Sequence, residues 1–97
     1  MPTYISFLNF TQKGVETIKD GGKRLDAAKQ AFRSAGAELK AFYLVMGQFD
    51  AVAIAEAPSD DVVAKLVLST AALGNVRTVT SRAFTEDEYR KIIASIS

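Results

Sequence analysis

The chain has 97 residues, a net charge of +1, and neither cysteine nor histidine; that length holds one domain, residues 1–97, with one modest core. The missing side chains exclude disulfide staples, cysteine–histidine zinc sites, thiol nucleophiles, histidine acid–base catalysis and histidine-ligated haem. Scattered Lys and Arg without interleaved aromatics argue against a nucleic-acid partner, and the longest apolar run, Ala41 to Met46, is far too short to cross a bilayer.

The opening stretch Pro2 to Phe10, PTYISFLNF, is rich in β-branched and aromatic residues and predicts a strand. It lacks the basic region and small-residue cleavage site of a signal peptide, so a cytoplasmic protein is expected. Thr11 is placed to cap a short helical turn containing Val15 and Ile18, which Gly21 and Gly22 are expected to break. In KRLDAAKQAFRSAG the residues Leu25, Ala28, Phe32 and Ala35 form one stripe of a helix, stopped by Gly36. AELKAFYLVM returns as a strand, GQFD turns the chain, and AVAIAEA is the third strand. A second helix follows from Ser59, a potential cap, through Asp60 and Asp61, which suit the positive end of its dipole, to Gly74. VRTVTSRAF is the fourth strand. Thr85 and Glu88 make a capping box for a final helix with Tyr89, Ile92, Ile93 and Ile96 on one face.

The order β-α-β-β-α-β plus a C-terminal helix predicts an α+β, ferredoxin-like antiparallel sheet with both main helices on one face. Side chains alternate along a strand, so parity assigns the faces. In the third strand Ala51, Ala53, Ala55 and Ala57 are small enough to lie under helices, which leaves Asp50, Val52, Ile54 and Glu56 on the bare face. The matching expectation puts Ile5 and Phe7 under the helices. Tyr4, Ser6, Leu8, Lys40, Phe42, Leu44, Thr78, Thr80 and Arg82 then join the bare face. Such a face is apolar enough to mark an interface, and a second copy packing sheet on sheet is the simplest cover. The hydrophobic share of 48% fits surface reserved for a partner.

Three stretches, PTYISFLNFTQKGVETIKD, MGQFDAVAIAEAPSDD and LGNVRTVTSRAFTEDEYRKII, resemble the GYD-domain family of small bacterial and archaeal proteins, and together they span nearly the whole chain. The family's glycine, tyrosine and aspartate correspond here to Gly47, Phe49 and Asp50, with phenylalanine in place of tyrosine. DGGKR stands where the family has a D-S-P-K-R run. The resemblance implies a ferredoxin-like fold of the dimeric α/β-barrel type and no established activity.

Candidate ligand-binding residues are Tyr4, Ser6, Lys40, Phe42, Asp50, Glu56, Thr78, Thr80 and Arg82, lining a pocket between packed sheets. Gly47 and Asp50 also have a plainer reading as turn residues. A carboxylate such as Glu56 in an apolar strand must find a cation or donor, with Arg82 or a tyrosine hydroxyl as the expected partner. The Thr85–Glu88 acidic cluster is explained by capping, so no metal site and no cofactor is expected. The function reading is a small homo-oligomeric module that binds or senses a small molecule. The alternatives are a cofactor-independent isomerase or monooxygenase using a carboxylate, and an assembly subunit without ligand.

Overall fold

The computed structural model describes residues 1–97. β1 (Thr3–Phe10) is followed by α1 (Gln12–Glu16), a 3₁₀ turn (Ile18–Asp20) and α2 (Gly21–Ser34). Then come β2 (Glu38–Leu44), β3 (Ala51–Glu56), α3 (Asp60–Ala72), β4 (Val76–Ala83) and α4 (Glu86–Ala94). The strands form one antiparallel sheet in the order β2-β3-β1-β4. This is the α+β arrangement expected from the element order. Two local expectations change. Gly21 and Gly22 open α2 instead of breaking the chain before it, which costs little because the first-turn N–H groups have no intrahelical partner in any case. Ser59 stands at the start of α3 in extended conformation, but its side chain makes no capping bond.

Cross-strand register fixes the faces, because residues directly opposite in an antiparallel ladder point the same way. Tyr4 stands opposite Ala55 and Arg82, Ser6 opposite Ala53 and Thr80, and Leu8 opposite Ala51 and Thr78. Phe42 faces Ala53 and Leu44 faces Ala51. Ala51, Ala53, Ala55 and Ala57 are all buried, so the alanines do lie under the helices. Their neighbours lie there with them. The expectation for β1, for Phe42 and Leu44 in β2, and for Thr78, Thr80 and Arg82 in β4 is therefore reversed. Pairing removes the cost of polar groups under a helix: Ser6 Oγ and Thr80 Oγ1 are 2.7 Å apart, and the Tyr4 hydroxyl donates to Asp60 Oδ1. Ile5 and Phe7 go to the face without helices, beside Ile54, Val52, Val79 and Tyr43. In β2 the register slips between Leu39 and Ala41, which makes Lys40 the extra residue of a bulge.

The helix layer is tight at one end and open at the other. Tyr4, Ala37, Ala57, Val63 and Leu66 form the buried cluster, with Phe32, Val62 and Val67 packed around it. It sits where α2 finishes and α3 begins. At the opposite end α1 is clasped onto the α3–β4 loop. Thr11 N–H donates to Asn75 O at 3.1 Å, the Thr11 hydroxyl to Gly74 O at 2.5 Å, and Lys13 Nζ to Leu73 O at 2.9 Å. Gly14 is buried there, and a Cβ on it would stand 2.1 Å from the Asn75 carbonyl oxygen. α4 is closed at its start by the expected capping box. Glu88 N–H donates to Thr85 Oγ1 at 3.2 Å, and Thr85 N–H to Glu88 Oε1 at 2.9 Å.

Candidate functional site

Two concavities flank α3, both on the helix side of the sheet. The first, about 390 Å³, lies between α3 and β4 and is lined by Tyr4, Asp60, Val63, Ala64, Val67, Thr78, Thr80 and Arg82. β1 and β4 put Tyr4 opposite Arg82, and the first residue of α3 brings Asp60 to the Tyr4 hydroxyl. That hydrogen bond, reinforced by burial, holds the Tyr4 phenol above its usual range against the opposing pull of the Arg82 charge. Tyr4 is thereby kept protonated and acts as a donor. The Arg82 guanidinium lies 4.4 Å from the centre of the Phe84 ring and 5.8 Å from that of Tyr4. It donates to the carbonyls of Thr3 and Ala83 and pairs loosely with Glu88, 3.9 Å away. The cleft thus carries a carboxylate, a guanidinium and hydroxyl groups beside an apolar wall from α3.

The second concavity, about 500 Å³, opens between α2 and α3 over the middle of the sheet. Its floor is Ser6, Leu8, Phe10, Phe42, Leu44 and Ala53; its walls include Leu25, Ala28 and Ala31 from α2, and Leu66, Thr70 and Leu73 from α3. It is an apolar groove with no charged side chain except Arg24.

Of the candidate residues, Tyr4, Thr78, Thr80 and Arg82 come together in the polar cleft, while Ser6, Phe42 and again Thr78 line the apolar groove. Asp50 is a turn residue: its Oδ2 accepts from Phe10 N–H at 2.9 Å, its own N–H donates to Leu8 O, and its carbonyl accepts from Val45 N–H. Gly47 has φ of 120°, a conformation that favours glycine. Phe49 stacks at 4.9 Å on Phe7, over the helix-free face. Glu56 lies opposite Thr3 and Glu38, on the other side of the sheet from Arg82, so the expected Glu56–Arg82 pair does not form. Lys40, on the bulge, makes an exposed pair with Glu38 at 3.8 Å. Sequence reasoning assigned Asp60 only to the helix dipole and missed its place in the cleft. The signal that would have found it is register, since fixing Tyr4 beside Ala55 turns its hydroxyl toward the start of α3.

A family model described as GYD domain matches residues 4–93. A Thermus thermophilus protein named "Glutamine synthetase and cystathionine beta-lyase binding protein" is 34% identical over 84 residues, covering 86% of this chain and 88% of its own. Among solved structures, the Mycobacterium tuberculosis leucine response regulatory protein matches with a TM-score of 0.65 at 15% identity over 87% of this chain. A feast or famine regulatory protein from M. tuberculosis, complexed with L-methionine, matches with a TM-score of 0.66 at 15% identity over 88% of this chain. This chain spans about half the length of both regulators, 51% in each case. A further structure, of a T. thermophilus protein, matches with a TM-score of 0.56 at 23% identity, covering 88% of this chain and 95% of that one.

Proposed function

The chain belongs to the GYD-domain family, and we propose that it is a binding module that senses a small zwitterion, such as an amino acid, in the cleft between α3 and β4. The observation that carries this reading is the pair of opposite charges, Asp60 and Arg82, lining one cleft with the Tyr4 hydroxyl. A ligand carboxylate would replace the loose Glu88 contact on Arg82, and a ligand ammonium would sit against Asp60. Tyr4 held protonated suits recognition better than base catalysis, for which a phenol must lose its proton readily. Val63, Ala64 and Val67 would take an apolar side chain. Two likenesses support the reading. The curated relative is named for binding two enzymes of amino-acid chemistry, and a structure of similar fold is a regulator complexed with L-methionine.

The module works as a homo-oligomer in this proposal. Ile5, Phe7, Val52, Ile54 and Val79 share the helix-free face, and Phe7 and Val79 are exposed in the single chain. A second sheet packed there gives the dimeric α/β-barrel arrangement and leaves both clefts on the outside. Calorimetric titration with amino acids, and with the same molecules lacking either the amino or the carboxyl group, tests the ligand class. Binding that needs both groups, and that Asp60→Asn and Arg82→Gln each abolish with the oligomer mass unchanged, supports it. Equal binding of the truncated analogues, or variants that bind like the parent, would sink it. Light scattering of Ile54→Asp tests the sheet interface, with a fall in the mass of the assembly expected.

A further inference from the structure

We propose that α4 of one chain docks into the apolar groove between α2 and α3 of a second copy. The proposal stands apart from the sheet interface and from the ligand cleft, with which the groove shares only Val67 and Thr78. α4 is a well-capped helix with nothing to hold it. Tyr89, Ile92 and Ile93 are 59%, 46% and 48% exposed, and its only side-chain tie to another element is the loose Glu88–Arg82 pair. A helix of nine residues does not persist in water on its own capping; its apolar face must be covered.

The same chain carries a surface of complementary shape that it does not fill. The groove wall on α2 includes Ala27, Ala28 and Ala31 beside Leu25 and Phe32, with Gly21 and Gly22 at its mouth. Small side chains there let the backbone of another helix come close, and the β-branched isoleucines of α4 are the bulky counterpart. The facing stretch of α3, Leu66 to Leu73, is about 12 Å long and α4 about 13 Å, so the lengths agree. Charges agree as well. Arg24 lines the groove as its one charged side chain, and the first turn of α4 is Glu86, Asp87 and Glu88.

The helix does not reach its own groove. α4 leaves β4 at Ala83, beside Thr3, at the end of the sheet where α2 finishes. The groove opens at the other end, around Gly21, Leu73 and Val76. Only Phe84 and Thr85 join strand to helix. To return, α4 would have to run back along β4, which is about 26 Å long, twice its own length. A second copy, at whatever distance concentration allows, has no such restriction.

The absence of cysteine makes a clean test. Ile93→Cys labelled with a benzophenone maleimide is mixed with uniformly ¹⁵N-labelled parent protein and irradiated, and the cross-linked peptides are sequenced by mass. Cross-links from the unlabelled label-bearing chain to ¹⁵N peptides of α2 or of the Leu66–Leu73 stretch are the expected result. Cross-links confined within one chain, cross-links to the helix-free sheet face, or none at concentrations where the protein is oligomeric would each overturn the proposal. So would recovery of an apolar small molecule from the groove with α4 still freely cleaved by protease. The same labelling repeated on Ile54→Asp keeps the interfaces separate: α4 cross-links that survive there support docking independently of the sheet contact, and loss of all α4 cross-links in a variant that remains folded by circular dichroism overturns that independence.

Discussion

The two ends of the helix layer rest on the same sheet and are built differently. Where α2 finishes and α3 begins, Tyr4, Ala37, Ala57, Val63 and Leu66 close into a buried cluster. Where α2 begins and α3 finishes, the helices part over Phe10, Phe42 and Leu44, and the space between them stays open. The closed end has an aromatic ring that reaches its polar partner across the layer, Tyr4 to Asp60. The open end has mostly alanines and glycines with Leu25 on one wall and Leu66 and Leu73 on the other, too little side-chain volume to meet in the middle. Stability is thus concentrated at one end of the molecule and left for a visitor at the other.

The largest expected effect follows from that contrast. Val63→Ala, at the closed end and outside the groove lining, should cost about 2–3 kcal/mol in urea unfolding. Leu25→Ala, on the open wall, should cost less than about 1 kcal/mol in the dissociated chain. Equal costs for the two would show that the groove is packed within one chain, and would erase the distinction between the ends. Gly14→Ala comes next. The new methyl would meet the Asn75 carbonyl oxygen, which is backbone and cannot swing aside, and a loss of about 1–3 kcal/mol is expected. A thermal melt unchanged from the parent would mean that the α1 clasp contributes nothing to holding the open end in shape.

Much of this was legible in the sequence. The element order, the capping box of α4 and the placing of the β3 alanines under helices follow from local pattern, because each depends on residues within a turn or a strand. The faces of β1, β2 and β4 do not. Parity within a strand gives two sets and leaves open which of them is inside; only the register against β3 decides, and the Lys40 bulge adds a further offset in β2. Polarity pointed the wrong way for Tyr4, Ser6, Thr80 and Arg82 because their partners, Asp60 and each other, come from elements remote in sequence. Tyr4, Thr78, Thr80 and Arg82, expected on the bare face, therefore lie together on the helix side of the sheet.

Smaller effects sharpen the comparison. Thr85→Ala removes the hydroxyl that caps α4 and should lower the stability of that helix by about 1 kcal/mol, seen as faster amide exchange in α4 alone. The backbone N–H of Thr85, helped by its hydroxyl and by Arg82, holds the Glu88 carboxyl below its usual range. Its contribution to the cap is present above the ordinary carboxylate range and is lost as pH falls through the depressed value, so the protection factors of α4 amides should fall in acid before those of the closed end. The subtlest readout is Tyr4. Because its phenol is raised in the folded chain, its contribution to stability is complete below the usual phenol range and disappears as pH rises through the raised value. An alkaline absorbance titration should show one of the tyrosines ionising last, and Asp60→Asn should bring it back toward the others.

The strand order has a consequence for how the chain comes together in time. β1 lies in the interior of the sheet, between β3 and β4, yet Leu8 pairs with Ala51 and Phe10 with Val76, so both neighbours belong to the second half of the chain. During synthesis β1 is made early and has no strand to join until most of the protein has followed. Loop closure must precede its first native pairing. Until β3 and β4 arrive, a segment of alternating Tyr, Ile, Phe and Leu has both backbone edges open, which makes the nascent chain, and not the finished fold, the state most exposed to aggregation.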